Sequence, residues 1–214
     1  MKTKEIAFIT RSIRRHLGIT RATVSRGNPF EVLISTVLSQ RTRDESTERA
    51  SEQLFAKYKT PKQLSQAPLK DIEKLIKPSG FYITKARRIK EISRILIQKY
   101  QGKIPEDFDK LIKLPGVGRK TANCVLVYAY RLPAIPVDTH VHRISNRIGF
   151  VKTKTPEQTE SELVKIIPRE YWVDFNELFV KFGQQICQPI KPLCWKCPIV
   201  RYCDYPNKNL NPKK

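Results

Sequence analysis

Apolar residues recur at helical spacing along nearly the whole chain, and the strict alternation of a half-buried strand is scarce. In "ITKARRIKEISRILIQKY", Ala86, Ile89, Ile92, Leu96 and Tyr100 form one stripe with Lys and Arg opposite, which predicts a long amphipathic helix. Caps and prolines punctuate the pattern. Asn28-Pro29 reads as an N-cap followed by Pro at the first helical position, opening "FEVLISTVLSQ". Asp44 is placed to cap the next helix, with Ala50, Leu54 and Tyr58 on one face. Thr60-Pro61 and Pro68 open two shorter helices, and "PEDFDKLIKL" makes another. A further helix follows "LPGVG" and runs to about Arg131; Pro133 and Pro136 then break the pattern and Asp138 restarts it. "TPEQTESELVKII" and "EYWVDFNELFVKFGQQIC" supply two late helices. The expectation is an all-α protein with its domain boundary at the prolines around 133–136.

Length and composition narrow the class. With 214 residues, of which 40% are hydrophobic, the chain can bury a real core as one large or two small domains. No apolar run approaches the roughly 20 residues that cross a bilayer. "MKTKEIAFITRSIRRHLG" is too interrupted by charge to be a good signal peptide, so an intracellular protein is expected. The final stretch, "YPNKNLNPKK", is polar and basic and is expected to be loose at its end. Lys and Arg number 41 against 20 Asp and Glu, a net charge of +21. A Lys-rich thermophile-like surface is the bland account, but that usually carries balancing Glu. The excess instead points to a polyanion bound by counterion release, nucleic acid ahead of an anionic membrane surface.

Chemistry concentrates in two places. In "LPGVGRKTANCVL", Pro115, Gly116 and Gly118 allow a tight turn that exposes backbone amides beside a helix start, an anion site suited to phosphate. As a pattern on its own, this also reads as a simple interhelical loop. Lys120 follows in the helix's first turn, where the positive end of the dipole disfavours a cation. That setting lowers an ammonium pKa, and a less basic amine is a nucleophile; a phosphate contact or a solvated lysine is the plainer reading. Eighteen residues later, in "VDTHVHRISNRIG", Asp138 sits where an N-cap belongs, and spacing alone does not raise it above capping. Cys187, Cys194, Cys197 and Cys203 follow C-x6-C-x2-C-x5-C, a crowding that argues for metal before disulfide. Four thiolates suit zinc and iron–sulfur alike. The fifth cysteine, Cys124, lies on the apolar helix and reads as a small buried hydrophobe.

"LPGVGRKTAN" followed by "VDTHVHR" resembles the helix-hairpin-helix plus Gly/Pro/Asp signature of base-excision DNA glycosylases. With the C-terminal cysteines included, nearly the full chain resembles the endonuclease III family. The resemblance implies that Lys120 is the catalytic amine, attacking C1′ of a damaged nucleotide and displacing the base. Asp138 would assist it and stabilise the oxocarbenium-like sugar. The Schiff base would acidify the C2′ hydrogens, so that the 3′ phosphate leaves by β-elimination. The implied enzyme is bifunctional, a glycosylase for oxidised or ring-saturated pyrimidines and an abasic-site lyase. The alternative, a glycosylase for uracil or thymine mispaired with guanine, is weakened by Lys120, since relatives acting only as glycosylases lack lysine there. A third reading, from another class, is a non-catalytic DNA-binding module with a zinc knot.

The cysteine spacing matches the family's 4Fe–4S loop residue for residue, with Lys191, Lys196 and Arg201 set to meet phosphate. Gly116, Gly118 and Arg119 would hold the DNA backbone, in this family often through a bound monovalent cation. Two loops supply candidates to fill the gap left by an extruded base. "LSQRTRD" offers Gln40 and Arg41 as a polar wedge, with the choice between them open, and "GFY" offers Phe81 as an apolar one, core packing being its alternative. His140 and Arg143 would share a helix face near Asp138 and contact phosphate or the pocket, while His142 fits a solvated face equally well. The expected architecture is two helical lobes: 23–133 as a bundle with the hairpin, and 1–22 plus 134–214 as a cluster lobe. DNA would lie in the cleft between, with Lys120 facing Asp138. A cytoplasmic, nucleoid-associated monomer acting on double-stranded DNA completes the expectation.

Overall fold

The computed structural model describes residues 3–19 and 27–211. Among these it contains eleven α helices, three short 3-10 turns and no strand. The chain divides into two compact units, 25–132 and 1–24 with 133–214. The second break therefore falls at Leu132/Pro133, while the expected N-terminal boundary at 22/23 lies outside the described residues, as do the last three residues of the basic tail.

The 25–132 unit holds α2 (Pro29–Ser39), α3 (Asp44–Lys57), α4 (Pro61–Gln66), α5 (Leu69–Leu75), α6 (Tyr82–Tyr100), α7 (Phe108–Leu111) and α8 (Arg119–Tyr130). Asn28 caps α2 as expected, its side-chain oxygen accepting from Phe30 N at 2.9 Å. Thr60 and Asp107 cap α4 and α7 in the same way. Asp44 does not cap α3. Arg43 occupies that position without a side-chain bond, and Asp44 is the first helical residue, where its carboxylate still meets the positive helix end. Helix α8 is buried from Thr121 to Val127, so it forms the centre of the unit rather than an amphipathic wall. The stripe on α6 faces inward, with Ala86, Ile89, Ile92 and Leu96 all buried. Truncating Leu96 to alanine there would cost about 2–5 kcal/mol. The polar face of α6 holds one exception: Lys85, expected among the exposed cations, is buried.

The other unit holds α1 (Thr3–His16), α9 (Thr139–Arg147), α10 (Pro156–Ile166) and α11 (Trp172–Gln185). Ile6, Ile9 and Ile13 of α1 join Val141 and Ile144 of α9, Leu163 of α10 and three phenylalanines of α11 in one core. Phe175 and Phe179 stack with centroids 4.1 Å apart. At the edge of this core Arg14 pairs with Asp174 at 2.7 Å, fastening α1 to α11. The four clustered cysteines follow α11 in a loop pinned by two 3-10 turns. No helix among the described residues is long and apolar enough to cross a membrane.

Candidate functional site

In the 25–132 unit, Leu114 to Gly118 form the turn that leads into α8. Gly116 adopts φ +75°, the left-handed region that glycine enters without penalty, whereas Gly118 at φ −92° makes no such demand. The absent Gly116 side chain also leaves room for Arg88, whose Cδ would stand 2.7 Å from a Cβ. Gly116, Gly118 and Arg119 are exposed, and the Arg119 guanidinium lies 4.7 Å over the Phe108 ring. Lys120 is half-buried at the second residue of α8, among amides that have no partner inside the helix. Cys124, one turn on, is buried as a small apolar residue should be.

Gln40 reaches this turn. Its Nε2 donates to Gly116 O at 2.8 Å and to Thr121 Oγ1 at 3.3 Å, on either side of Lys120 in sequence. The Leu114 and Gly118 carbonyls accept from Val117 N at 3.1 Å and Ala122 N at 2.9 Å, closing the turn onto the start of α8. Arg41, next along, is exposed with φ +50°. Phe81 is 65% exposed with φ +57°, so core packing does not account for it. Gln40, Arg41, Phe81, Thr84, Lys85 and Arg88 line one open depression of about 600 Å³.

In the other unit, Asp138 caps α9. Its Oδ1 accepts from the His140 and Val141 backbone N–H groups, both at 2.8 Å, and its Oδ2 from Asn176 Nδ2 at 3.3 Å. Asn176 also donates to Pro136 O at 2.9 Å, so one buried amide of α11 orients both the carboxylate and the strand-like approach to it. His140 and Arg143, the expected phosphate or pocket contacts, are both half-buried. Arg143 Nη2 donates to Cys187 O at 2.9 Å and lies 3.3 Å from His140 Nδ1, which links both side chains to the cysteine loop. The solvated-face reading of His142 fails, because its Nδ1 meets Thr159 Oγ1 of α10 at 2.6 Å.

All four cysteines of the C-x6-C-x2-C-x5-C run line a single pocket, together with the apolar side chains of Ile148, Phe182, Ile186 and Val200. They are free thiols. Among the described residues no three His, Cys, Asp or Glu groups converge tightly enough to hold a single ion. Burial pushes the Cys197 thiol up to about 12 and raises Cys203 as well, so a metal centre entering here must displace protons. Arg147 of α9 fastens the loop, donating to Gln188 O at 2.7 Å and Pro189 O at 2.8 Å, with Cys187 Sγ at 3.6 Å. Lys191, Lys196 and Arg201 are exposed around it.

Sequence patterns passed over Lys85, Thr42, Ser79, Asn176 and Arg147. For Lys85 a clue existed: like Lys120, it is a cation in the first turn of a helix, where the dipole opposes it.

Residues 34–169 match the HhH-GPD superfamily base excision DNA repair protein family. Endonuclease III of Thermotoga maritima is 56% identical over 178 residues, 83% of this chain and 84% of the relative. Endonuclease III of Escherichia coli K12 is 37% identical over 207 residues, 97% and 98% of the two chains. A trapped covalent endonuclease III–DNA intermediate with an estranged adenine superposes with a TM-score of 0.87 at 38% identity, covering 95% of this chain and 96% of that one. A thermostable thymine-DNA glycosylase follows at 0.83 and 27% identity, covering 94% and 96%. The chain belongs to the endonuclease III family of HhH-GPD base excision DNA repair proteins.

Proposed function

We propose that this enzyme removes oxidised or ring-saturated pyrimidines from duplex DNA and cleaves the resulting abasic site by β-elimination, with Lys120 as nucleophile and Asp138 as its carboxylate partner. The observation that carries the reading is a half-buried lysine in the first turn of α8, behind a glycine turn whose amides suit a phosphate. Uncharged Nζ of Lys120 attacks C1′; the N-glycosidic bond breaks, and its electron pair leaves with the base, which gains a proton. Asp138 takes the proton released by the amine and offsets the positive charge developing on the sugar. Ring opening gives an iminium at C1′. Loss of a C2′ proton expels the 3′ phosphate, and water then frees Lys120.

Asp138 Oδ1 is occupied by the α9 cap, which leaves Oδ2, steadied by Asn176, for this chemistry. Of the two polar wedge candidates, Gln40 is committed to Gly116 and Thr121, so Arg41 is the residue to enter the duplex beside Phe81. Aromatic stacking of Phe81 on a base, about 1–3 kcal/mol, is comparable to the cost of unstacking a step. The cysteine pocket is suited to a [4Fe–4S] cluster, since its four donors surround a space rather than a point. Cys187, Cys194, Cys197 and Cys203 would hold it, and what the cluster supplies there is a tie among four points of a basic loop. Lys120 favours this reading over a mismatch glycosylase without lyase activity.

Borohydride reduction on abasic-site DNA tests the proposal. A covalent adduct is expected with the wild type and none with Lys120→Ala; absence of an adduct in the wild type overturns the lyase assignment.

A further inference from the structure

Lys85 is 2% exposed, and its ammonium touches four oxygens: Leu38 O and Gln40 O at 2.6 Å, Thr42 Oγ1 and Ser79 Oγ at 2.8 Å. None of these partners is a carboxylate, so the charge is not held by an ion pair among them. Three protons shared among four acceptors fix an ammonium's position more tightly than packing does. Two of the acceptors are carbonyls at the C-terminus of α2, a helix with no basic residue in its own last turn. A cation from α6 thus meets the negative end of α2.

The acceptors come from two segments, 38–42 at the end of α2 with the loop after it and 79–80, and those segments meet back to back. Ser79 Oγ donates to Leu38 O at 2.9 Å, and Gly80 N donates to Thr42 Oγ1 at 3.1 Å. A Cβ on Gly80 would stand 2.9 Å from the Arg41 carbonyl oxygen. At the outer edge of this joint stand Arg41 and Phe81, both non-glycine residues in the left-handed region. Such conformations are strained for residues with a side chain and persist only where the surroundings over-determine them.

We propose that Lys85 is a positioning residue that clips the two segments into one rigid piece, so that Arg41 and Phe81 enter the duplex together. The idea rests on the wedge role given to those two residues above. Lys85 itself touches neither substrate nor the reacting atoms. Its contribution is confined to extruding the base from a paired duplex, and it leaves the chemistry and the affinity for an abasic site alone. Burial and the nearby Arg88 lower the Lys85 pKa to about 8, in keeping with an ammonium held away from water.

The experiment compares Lys85→Met with wild type on one damaged pyrimidine, placed either in a fully paired duplex or in a bulge where it is already unstacked. Single-turnover excision is followed together with 2-aminopurine fluorescence beside the lesion. Lys85→Met should lose at least tenfold on the paired substrate and less than twofold on the bulged one, with the fluorescence rise on binding lost. An equal loss on both substrates, or an unchanged fluorescence rise, overturns the proposal. Arg41→Ala and Phe81→Ala run alongside: if they excise from the paired duplex at the wild-type rate, the wedge reading itself is at fault. Should Lys85→Met fail to fold, Thr42→Val, which removes one acceptor from the clip, carries the same comparison with the same deciding outcomes.

Discussion

Replacing Asp138 with asparagine keeps the side chain's shape and one of its oxygens while removing its charge. In the native protein Oδ1 holds two backbone N–H groups at the start of α9, and Oδ2 accepts from Asn176. Asparagine caps helices about as well as aspartate, so the two Oδ1 bonds survive. What disappears is the carboxylate's attraction to the helix dipole, about 0.3–1 kcal/mol. The Asn176 bond goes too, because one amide donor then faces another, at about 0.5–1.5 kcal/mol. A destabilisation of about 1–2 kcal/mol leaves a domain of ordinary stability folded. Asp138→Ala also loses the cap, about 1 kcal/mol more. Excision separates the roles much further. A group that takes the amine's proton and offsets charge on the sugar contributes about 10²–10⁴-fold, so Asp138→Asn should slow single-turnover excision of thymine glycol by that factor. Binding to an uncleavable abasic analogue should stay within about threefold of wild type, since the cap and α9 remain in place. Urea denaturation supplies the stability arm. Excision within threefold of wild type, or excision and binding falling together, would refute the reasoning and leave Asp138 as a cap alone.

The purified protein should be yellow-brown and contain iron, and Cys197→Ser should lose both colour and iron while unfolding at lower temperature; a colourless wild type that holds zinc instead would count against the cluster. Gly80→Ala forces a Cβ against the Arg41 carbonyl, a backbone atom that cannot swing aside; about 1–3 kcal/mol of stability should be lost, with slower excision from paired duplexes, as read by urea melts and single-turnover assays. Lys85 titrates near 8 in the folded protein and near 10.4 when unfolded, so between those values the unfolded chain binds more protons and this group's contribution makes stability rise with pH. The unfolding free energy of wild type relative to Lys85→Met should therefore improve from pH 7.5 to pH 10; a decline would mean that the four acceptors favour the ammonium by more than burial disfavours it.

Helix positions were readable because the forces that set them are local. Asn28 and Pro29 start α2, the Ala86–Leu96 stripe orients α6, and the break at Pro133 to Pro136 coincides with the change of unit. Asp44 was misplaced by a single position, because an acidic residue suits both a cap and a first turn. The cysteines are legible from their crowding and spacing. Lys120 and Asp138 are singled out by the resemblance of their motifs to the endonuclease III family, because residue type and spacing alone leave one a phosphate contact and the other a helix cap. Gln40's attachment to Gly116 and Thr121 joins residues 76 and 81 positions apart, and helical periodicity is blind to such pairings. The same holds for Lys85, whose Leu38 and Gln40 acceptors lie 47 and 45 positions away. Arg143 has the composition of a phosphate contact, and its bond to the cysteine loop depends on where the Cys187 carbonyl ends up in three dimensions.

Helix α9 is only nine residues long, roughly 13 Å at 1.5 Å per residue, yet both kinds of unusual chemistry in its unit hang from it. Asp138 stands at its head, while Arg143 and Arg147 grip the cysteine loop from its body and tail. The short rod is a common mount for the capping carboxylate and the cysteine loop. One nine-residue element thereby carries both, so a substitution that unfolds α9 is expected to release the cysteine loop and the carboxylate together.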